Sequence, residues 1–311
     1  MTTATPRISV VSPVYGCAGC LRELVTRLTA TLSALGETWE IVLVDDASPD
    51  GAWPVARELG AADARIKAVA LSRNFGQHHA ISAGLDYASG DWIVVLDCDL
   101  QDRPEEIARL WAKAQEGHDV VFAERETRQD NWLKRTLSRG FIALLNRLSG
   151  ANYDYRTANF GIYARAVVDA VRSMGDPSPF FPIMVRWTGF RTTSIPVQHD
   201  ARGDGESAYT LRKLARLALE TVLSHSDKPL RLVAALGLIV SVIALAITAF
   251  SVLRYLHGDV TVAGYTSVIA SMWLLAGVML FCMGIIGLYV GRVFESVKRR
   301  PLYVVRERVN L

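Results

Sequence analysis

Trp92-Ile93-Val94-Val95-Leu96-Asp97-Cys98-Asp99-Leu100-Gln101-Asp102 decides how this chain folds. An apolar, β-branched run stops at two carboxylates one residue apart, which reads as a buried strand whose polar end leaves the sheet. Similar runs lie upstream at Ile8 to Val11, Glu40 to Val44 and Ile66 to Leu71, and downstream at Val120 to Ala123. Helical patterns fall between them, at about Gly19 to Leu35, Gln77 to Ala88 and Glu105 to Glu116. This alternation predicts an α/β fold, a mostly parallel sheet with helices on both faces. Ligands of such sheets bind beyond the carboxyl ends of the strands. Polar residues collect at those ends: Ser12-Pro13, Asp45-Asp46-Ala47-Ser48, Ser72-Arg73-Asn74 and Asp97-Cys98-Asp99.

Asp97 and Asp99 can address one ligand from the rim, with Gln101 and Asp102 close behind. Taken alone, D-x-D is a common pattern and a solvated acidic turn is its ordinary meaning. Asp45-Asp46 at the end of another strand changes that balance, because carboxylates crowded at one rim repel each other unless a cation or a donor-rich ligand is present. Mg²⁺ typically takes one or two carboxylates together with substrate phosphates. A nucleotide diphosphate with its metal therefore suits this rim.

The 311 residues are 50% hydrophobic, 21% charged and 9% aromatic, with a mean hydropathy of +0.21. Between Leu232 and Gly291 the only charges are Arg254 and Asp259, so the rest of the chain has the charge density of a soluble domain. Disordered, collagen-like and disulfide-scaffold classes are excluded. Residues 292–311 carry six Lys or Arg against two Glu, enough to outweigh a slightly acidic body in the net charge of +3. The body is not a nucleic-acid binder by charge, and a basic tail beside an apolar segment suits anionic lipid headgroups. The four cysteines complete no zinc site: Cys17 and Cys20 form a C-x-x-C pair, but Cys98 lies among carboxylates and Cys282 in an apolar run. They are expected to be small buried or loop thiols in a reducing cytoplasm, since Met1 to Val14 lacks the features of an export signal.

Leu232 to Leu253 and Thr266 to Val290 are free of charge, each long enough to cross a hydrocarbon core of roughly 30 Å as a helix. The connection between them is short, which predicts an antiparallel hairpin. Lys228 and Arg231 precede the first span, and Arg292, Lys298, Arg299 and Arg300 follow the second. The positive-inside rule then puts both termini and the catalytic body in the cytoplasm of a multi-pass protein of the bacterial inner (plasma) membrane. Leu211, Leu214, Ala215, Ala218 and Val222 share one helical face and Arg212, Lys213, Arg216 and Glu220 another, the pattern of a helix in the membrane interface. The expected organisation is a catalytic domain over 1–210, a juxtamembrane amphipathic helix over 211–230, two spans within 231–291 and a basic tail over 292–311.

Five stretches together carry a resemblance: V-S-P-V-Y (Val11 to Tyr15), V-D-D-A-S-P-D (Val44 to Asp50), L-S-R-N-F-G-Q-H (Leu71 to His78), A-G-L-D-Y-A-S-G-D (Ala83 to Asp91) and L-D-C-D-L-Q-D-R-P-E-E (Leu96 to Glu106). They resemble family 2 glycosyltransferases with the GT-A fold, and more closely the polyprenyl-phosphate glycosyltransferases, which include bactoprenol glucosyltransferases and dolichol-phosphate mannose synthases. R-Q-D-N-W (Arg128 to Trp132), F-F-P-I (Phe180 to Ile183), I-P-V-Q-H (Ile195 to His199), G-E-S-A-Y (Gly205 to Tyr209) and K-P-L-R (Lys228 to Arg231) are most similar to the undecaprenyl-phosphate 4-deoxy-4-formamido-L-arabinose transferases.

The resemblance implies roles residue by residue. Asp45 and Asp46 would hold the donor nucleoside, with Pro13 and Tyr15 in the base pocket and Arg73 beside it. Asp97 and Asp99, with Gln101 adjacent, would hold Mg²⁺ or Mn²⁺ and the donor diphosphate. Arg125, Lys134, Arg135, Ser138 and Arg202 would receive the acceptor phosphate. The implied partners are a nucleotide-sugar donor, a polyprenyl-phosphate acceptor, membrane lipids and further copies of the chain in a tetramer.

The implied reaction passes a sugar from a nucleotide diphosphate to the phosphate of a membrane polyprenol, with inversion at the anomeric carbon. An acceptor phosphate is already anionic, so a strong general base is less necessary than for a sugar hydroxyl. In agreement with that, the relatives' G-D-F-R corresponds to Ala158-Asn159-Phe160-Gly161, without acid or arginine. Their V-Y-N-E-E has become Val14-Tyr15-Gly16-Cys17-Ala18, and Ala208 replaces the lysine of G-E-S-K-Y. The sugar is left open among 4-deoxy-4-formamido-L-arabinose, glucose, an N-acetylhexosamine and mannose. A processive polysaccharide synthase would carry Q-x-x-R-W where this chain has Ile183-Met184-Val185-Arg186-Trp187. A nonenzymatic lipid-carrier binder would have no use for two intact acidic pairs.

Overall fold

The computed structural model describes residues 5–125, 157–177, 179–198, 264–298 and 300–311, with scattered positions between 230 and 253. Met1–Arg135, Tyr153–Ser207 and Arg300–Leu311 form one compact unit, and Thr136–Asn152 with Ala208–Arg299 a second.

The first unit is built on an eight-stranded sheet. Its strands are β1 (Ile8–Val14), β2 (Trp39–Asp45), β3 (Ile66–Leu71), β4 (Trp92–Val95), β5 (Val120–Arg125), β6 (Thr157–Ala164), β7 (Thr192–Val197) and β8 (Val305–Val309). Their order is β7-β5-β6-β4-β1-β2-β3-β8. The central strands β4, β1, β2 and β3 pair in parallel, as do β5 and β7. The flanks are mixed, since β6 runs antiparallel to β4 and β5, and β8 antiparallel to β3. The mostly parallel sheet expected from sequence is therefore right for the centre and too simple for the edges.

Every residue of β1 and β2 is buried, because helices cover both faces. Ile8 and Val10 join Ile41 and Leu43 in a core beneath α1 (Leu21–Ala34), α2 (Ala52–Ala62) and α4 (Ile107–Ala114). Val11, Val42 and Val44 point the other way, under α3 (Gln77–Tyr87), α5 (Arg165–Met174) and α6 (Phe181–Trp187). In α1 the apolar residues Leu21, Leu24, Val25, Leu28 and Leu32 recur at helical spacing and are the ones buried. Gly84 lets α3 lie directly on the sheet: a Cβ there would stand 2.2 Å from Val11 Cγ1.

The basic tail expected over 292–311 contains a strand. Residues 300–311 belong to the first unit, where β8 covers the exposed edge of β3. Val305 and Val309 are half-buried and the charged Arg306, Glu307 and Arg308 between them are exposed, which suits an edge strand, and an uncovered parallel edge is an open pairing site. Trp53 Nε1 donates to Glu307 Oε2 at 3.0 Å, and Asn310 Nδ2 donates to the Gly60 and Ile66 carbonyls at 2.6 and 2.8 Å.

In the second unit, α7 (Tyr265–Val297) runs for 33 residues, about 50 Å at 1.5 Å per residue. It includes the second expected span, and its described apolar side chains are largely exposed, among them Met272, Leu280, Met283 and Val290. Counted over the described residues alone, no helix is long and apolar enough to cross a membrane. Undescribed side chains interrupt both expected spans, so the hairpin rests on the sequence. The amphipathic segment Leu211 to His225 lies outside the described residues.

Candidate active site

The chain runs β1, β2, β3 toward one edge of the sheet and then returns, placing β4 on the other side of β1. At such a reversal the loops beyond the strand ends leave a crevice. A cavity of about 310 Å³ opens there, lined by Pro13 at the end of β1 and Tyr15, Gly16 and Cys17 after it, Asp46 after β2, Asn74, Gly76 and Gln77 at the start of α3, and Asp97, Cys98 and Asp99 after β4. Five of the residues expected from sequence, Pro13, Tyr15, Asp46, Asp97 and Asp99, meet at this cavity.

The side chains are held by the loops around them. Asp97 Oδ1 accepts a hydrogen bond from Gln77 Nε2 at 2.7 Å, and Asp99 Oδ1 from the Gln101 backbone amide at 3.2 Å. Gln101 thus braces the turn through its backbone. Leu100 adopts φ 59° in the same turn, a left-handed conformation uncommon for a bulky residue and held only where the surroundings dictate it. Asp46 accepts from the Phe75 and Gly76 amides at 2.7 and 2.8 Å, tying β2 to the loop that precedes α3. Burial pushes the Asp46 carboxyl above the usual range, more than these two donors and the nearby His79 and Arg73 lower it.

Asp45 is not among the residues lining the cavity. It is buried, accepts from the Ser48 amide at 3.2 Å, and is likewise raised by burial. Arg306, at the irregularity where β8 meets β3 between Ala70 and Leu71, works against that rise. Arg73 also lies off the cavity: its guanidinium stacks over the Phe75 ring at 4.0 Å and donates to the Asn74 carbonyl. Burial pushes His78 down to about 4, so its ring, 4.5 Å from that of Phe180, is neutral at physiological pH. Asp50 completes the neighbouring loop, accepting from the Ala18 amide at 2.7 Å and from the Ser48 hydroxyl.

Three contributions went unread in the sequence. Gln77 is a cavity residue whose signal lay in the L-S-R-N-F-G-Q-H stretch. Arg306 is far away in the chain and becomes relevant only through β8. The cysteines were expected to be thiols, but Cys17 and Cys98 are joined in a disulfide, while Cys20 and Cys282 are free. C-x-x-C drew attention to the wrong pair, since 81 residues separate the true partners.

Arg125 ends β5 and its side chain, like Lys134, Arg135, Ser138 and Arg202, lies outside the described residues. Gly161 does have a structural reason to be small: a Cβ would stand 2.8 Å from Tyr163 Oη and 2.9 Å from the Val121 carbonyl.

The model of glycosyl transferase family 2 matches residues 9–172. The chain is 36% identical over 304 residues to the uncharacterized glycosyltransferase sll0501 of Synechocystis sp., covering 97% of this chain and 96% of that protein. It is 34% identical over 304 residues to the uncharacterized glycosyltransferase YkcC of Bacillus subtilis, covering 97% and 94%. The chain belongs to glycosyl transferase family 2, and it is a glycosyltransferase. Among solved structures, mannosyltransferase PcManGT from Pyrobaculum calidifontis, in complex with GDP-Man and Mn²⁺, is 17% identical with a TM-score of 0.48, covering 96% of this chain and 88% of that one.

Proposed function

We propose that the chain transfers a sugar from a UDP-sugar to the phosphate of a polyprenol, undecaprenyl phosphate in a bacterial inner membrane, at the cytoplasmic face. One observation supports the donor half above all: Pro13, Tyr15, Asp46, Asp97 and Asp99 line a single cavity at the strand-order reversal. Tyr15, 53% exposed, offers a ring face to the base. Asp97 and Asp99 fit Mg²⁺ or Mn²⁺. Among the described residues no group of three or more His, Cys, Asp or Glu could hold a metal, so the donor diphosphate would supply the remaining oxygens, as Mg²⁺ sites commonly do. Such a cation, when bound, offsets the charge on the leaving diphosphate.

The acceptor half rests on sequence and on the apolar surface of α7. An acceptor phosphate oxygen forms the new bond to the anomeric carbon as the bond to the diphosphate breaks, with inversion. Arg125, Lys134, Arg135, Ser138 and Arg202 are assigned to orient that phosphate, for which paired Arg contacts are well shaped. A polyprenol lies in the bilayer, and a helix exposing a long apolar surface is suited to hold the enzyme there. Assembly as a tetramer belongs to the same reading. The test is to incubate the full chain with undecaprenyl phosphate, Mn²⁺ and a panel of radiolabelled nucleotide sugars. One sugar should enter an organic-extractable phospholipid; labelled polymer, or no product with any donor, would overturn the assignment.

A further inference from the structure

The disulfide spans the cavity that the proposed donor occupies. Cys17 belongs to the loop after β1, with Tyr15 and Gly16, and Cys98 sits between Asp97 and Asp99. Both half-cystines line the cavity, and each is only 6% exposed. Their Cα atoms are 6.4 Å apart. The bond therefore ties the wall beside the base pocket to the turn that carries both metal-binding candidates.

That turn has reason to move when released. Leu100, two residues beyond Cys98, holds φ 59°, a left-handed conformation that is unfavourable for a non-glycine residue. The Asp99 acceptor bond from Gln101 is long, at 3.2 Å, and is a weak restraint by itself. On the other wall Gly16 sits at φ 69°, with its amide donating to the Ser48 hydroxyl at 2.8 Å. A covalent link between the two loops removes their freedom to separate, and the linked state is the one in which the cavity residues are assembled.

We infer that Cys17 and Cys98 form a reversible redox clasp on the donor pocket, whose oxidation holds the Asp97–Asp99 turn in place and whose reduction loosens it. The chemistry is thiol–disulfide exchange. On oxidation the two thiols lose two protons and two electrons to a low-molecular-weight or protein disulfide, which departs as two thiols. On reduction an external dithiol breaks the bond and leaves as its own disulfide. Cys20, three positions along the chain from Cys17, is a free, half-buried cysteine and serves as an internal reference for accessibility.

The effect on donor affinity rests on the proposed function, whereas the loosening of the turn does not, and the experiment separates them. The full chain is equilibrated with oxidised glutathione or with dithiothreitol, alkylated, and mapped by mass. Hydrogen exchange is followed in peptides covering residues 14–18 and 97–101, and UDP with Mn²⁺ is titrated into each form. The oxidised form should protect Cys17 and Cys98 from alkylation while Cys20 is modified. Reduction should speed exchange in both peptides and weaken UDP binding about tenfold, the factor that corresponds to ~1.4 kcal/mol. Cys98→Ser and, independently, Cys17→Ser should match the reduced form and ignore the reductant. Alkylation of both half-cystines after oxidation, or equal exchange in the two forms, would overturn the clasp. Equal UDP affinity in the two forms would overturn its effect on the donor. UDP binding in neither form, with exchange still responding, would leave the clasp standing and remove the donor assignment.

Discussion

Glu40 and Asp46 stand at opposite ends of β2, both buried, both ionisable, and the protein treats them differently. Glu40 accepts from the Ser9 hydroxyl at 2.6 Å, from the Ser89 amide and hydroxyl at 2.6 and 2.9 Å, and pairs with Lys67 Nζ at 2.7 Å. Burial alone would raise its pKa, but Lys67, Ser9 and Ser89 outweigh burial and the value falls below the usual range. Asp46 receives two backbone amides, and burial wins. Asp45 beside it is raised as well. At the amino end of the strand the chain completes its own charge; at the carboxyl end it collects carboxylates around a cavity and leaves much of their stabilisation to a ligand. That contrast separates a structural network from a binding site, since a fold gains nothing by gathering raised carboxylates at one rim.

The largest expected effect tests the rim. Asp99→Asn removes a carboxylate assigned to the metal and diphosphate, and kcat should fall by about three orders of magnitude with the thermal midpoint unchanged. Near-normal transfer in the presence of Mn²⁺ would break the comparison at its functional end. The amino end should answer in the opposite currency. Lys67→Ala leaves Glu40 buried without its cation and should cost about 3 kcal/mol of stability in denaturant unfolding. UDP affinity of the folded variant should stay within a factor of two or so, because Lys67 lies at the far end of β3 from the cavity. A midpoint that does not move would show that the pair is dispensable.

How far the two ends could be told apart from sequence depends on the range of the signals. Val94-Val95-Leu96-Asp97 states strand and rim in four letters, and the pairs Asp45-Asp46 and Asp97/Asp99 converge as their positions at strand ends required. Whether a carboxylate at a strand end lines the cavity is another matter: Asp46 does and Asp45 does not, and that depends on the Phe75 and Gly76 amides contributed by another loop. Glu40 drew no notice because its partners Lys67 and Ser89 lie 27 and 49 positions away. The same holds for Cys98, whose partner is Cys17 and not a neighbour, and for Arg306, which reaches the rim only because β8 closes the sheet. Periodicity reports faces and turns report strand ends; contacts between distant segments have no local trace. The apolar stretch around α7 is the reverse case, stated more plainly by composition than by any described contact.

The smallest effect is a difference in the sign of a pH dependence, and it sharpens the comparison most directly. Glu40 has a lowered pKa in the fold, so its contribution to stability is complete above the ordinary carboxylate value and is lost as pH falls through the lowered one. Asp46 has a raised pKa, so its contribution is complete below the ordinary value and is lost as pH rises through the raised one. Unfolding free energies of wild type, Glu40→Gln and Asp46→Asn should be measured from pH 7 downward. The advantage of wild type over Glu40→Gln should shrink as the solution becomes acidic, because the ionised partner of Lys67 is being protonated. The advantage over Asp46→Asn should grow, since protonation relieves a buried charge that asparagine never carries. His79 acts in the same direction: burial lowers its pKa, and Asp46 partly restores it, so removing that carboxylate makes acid more costly to the fold. Parallel pH profiles for the two variants would mean that the two ends of β2 are electrostatically alike.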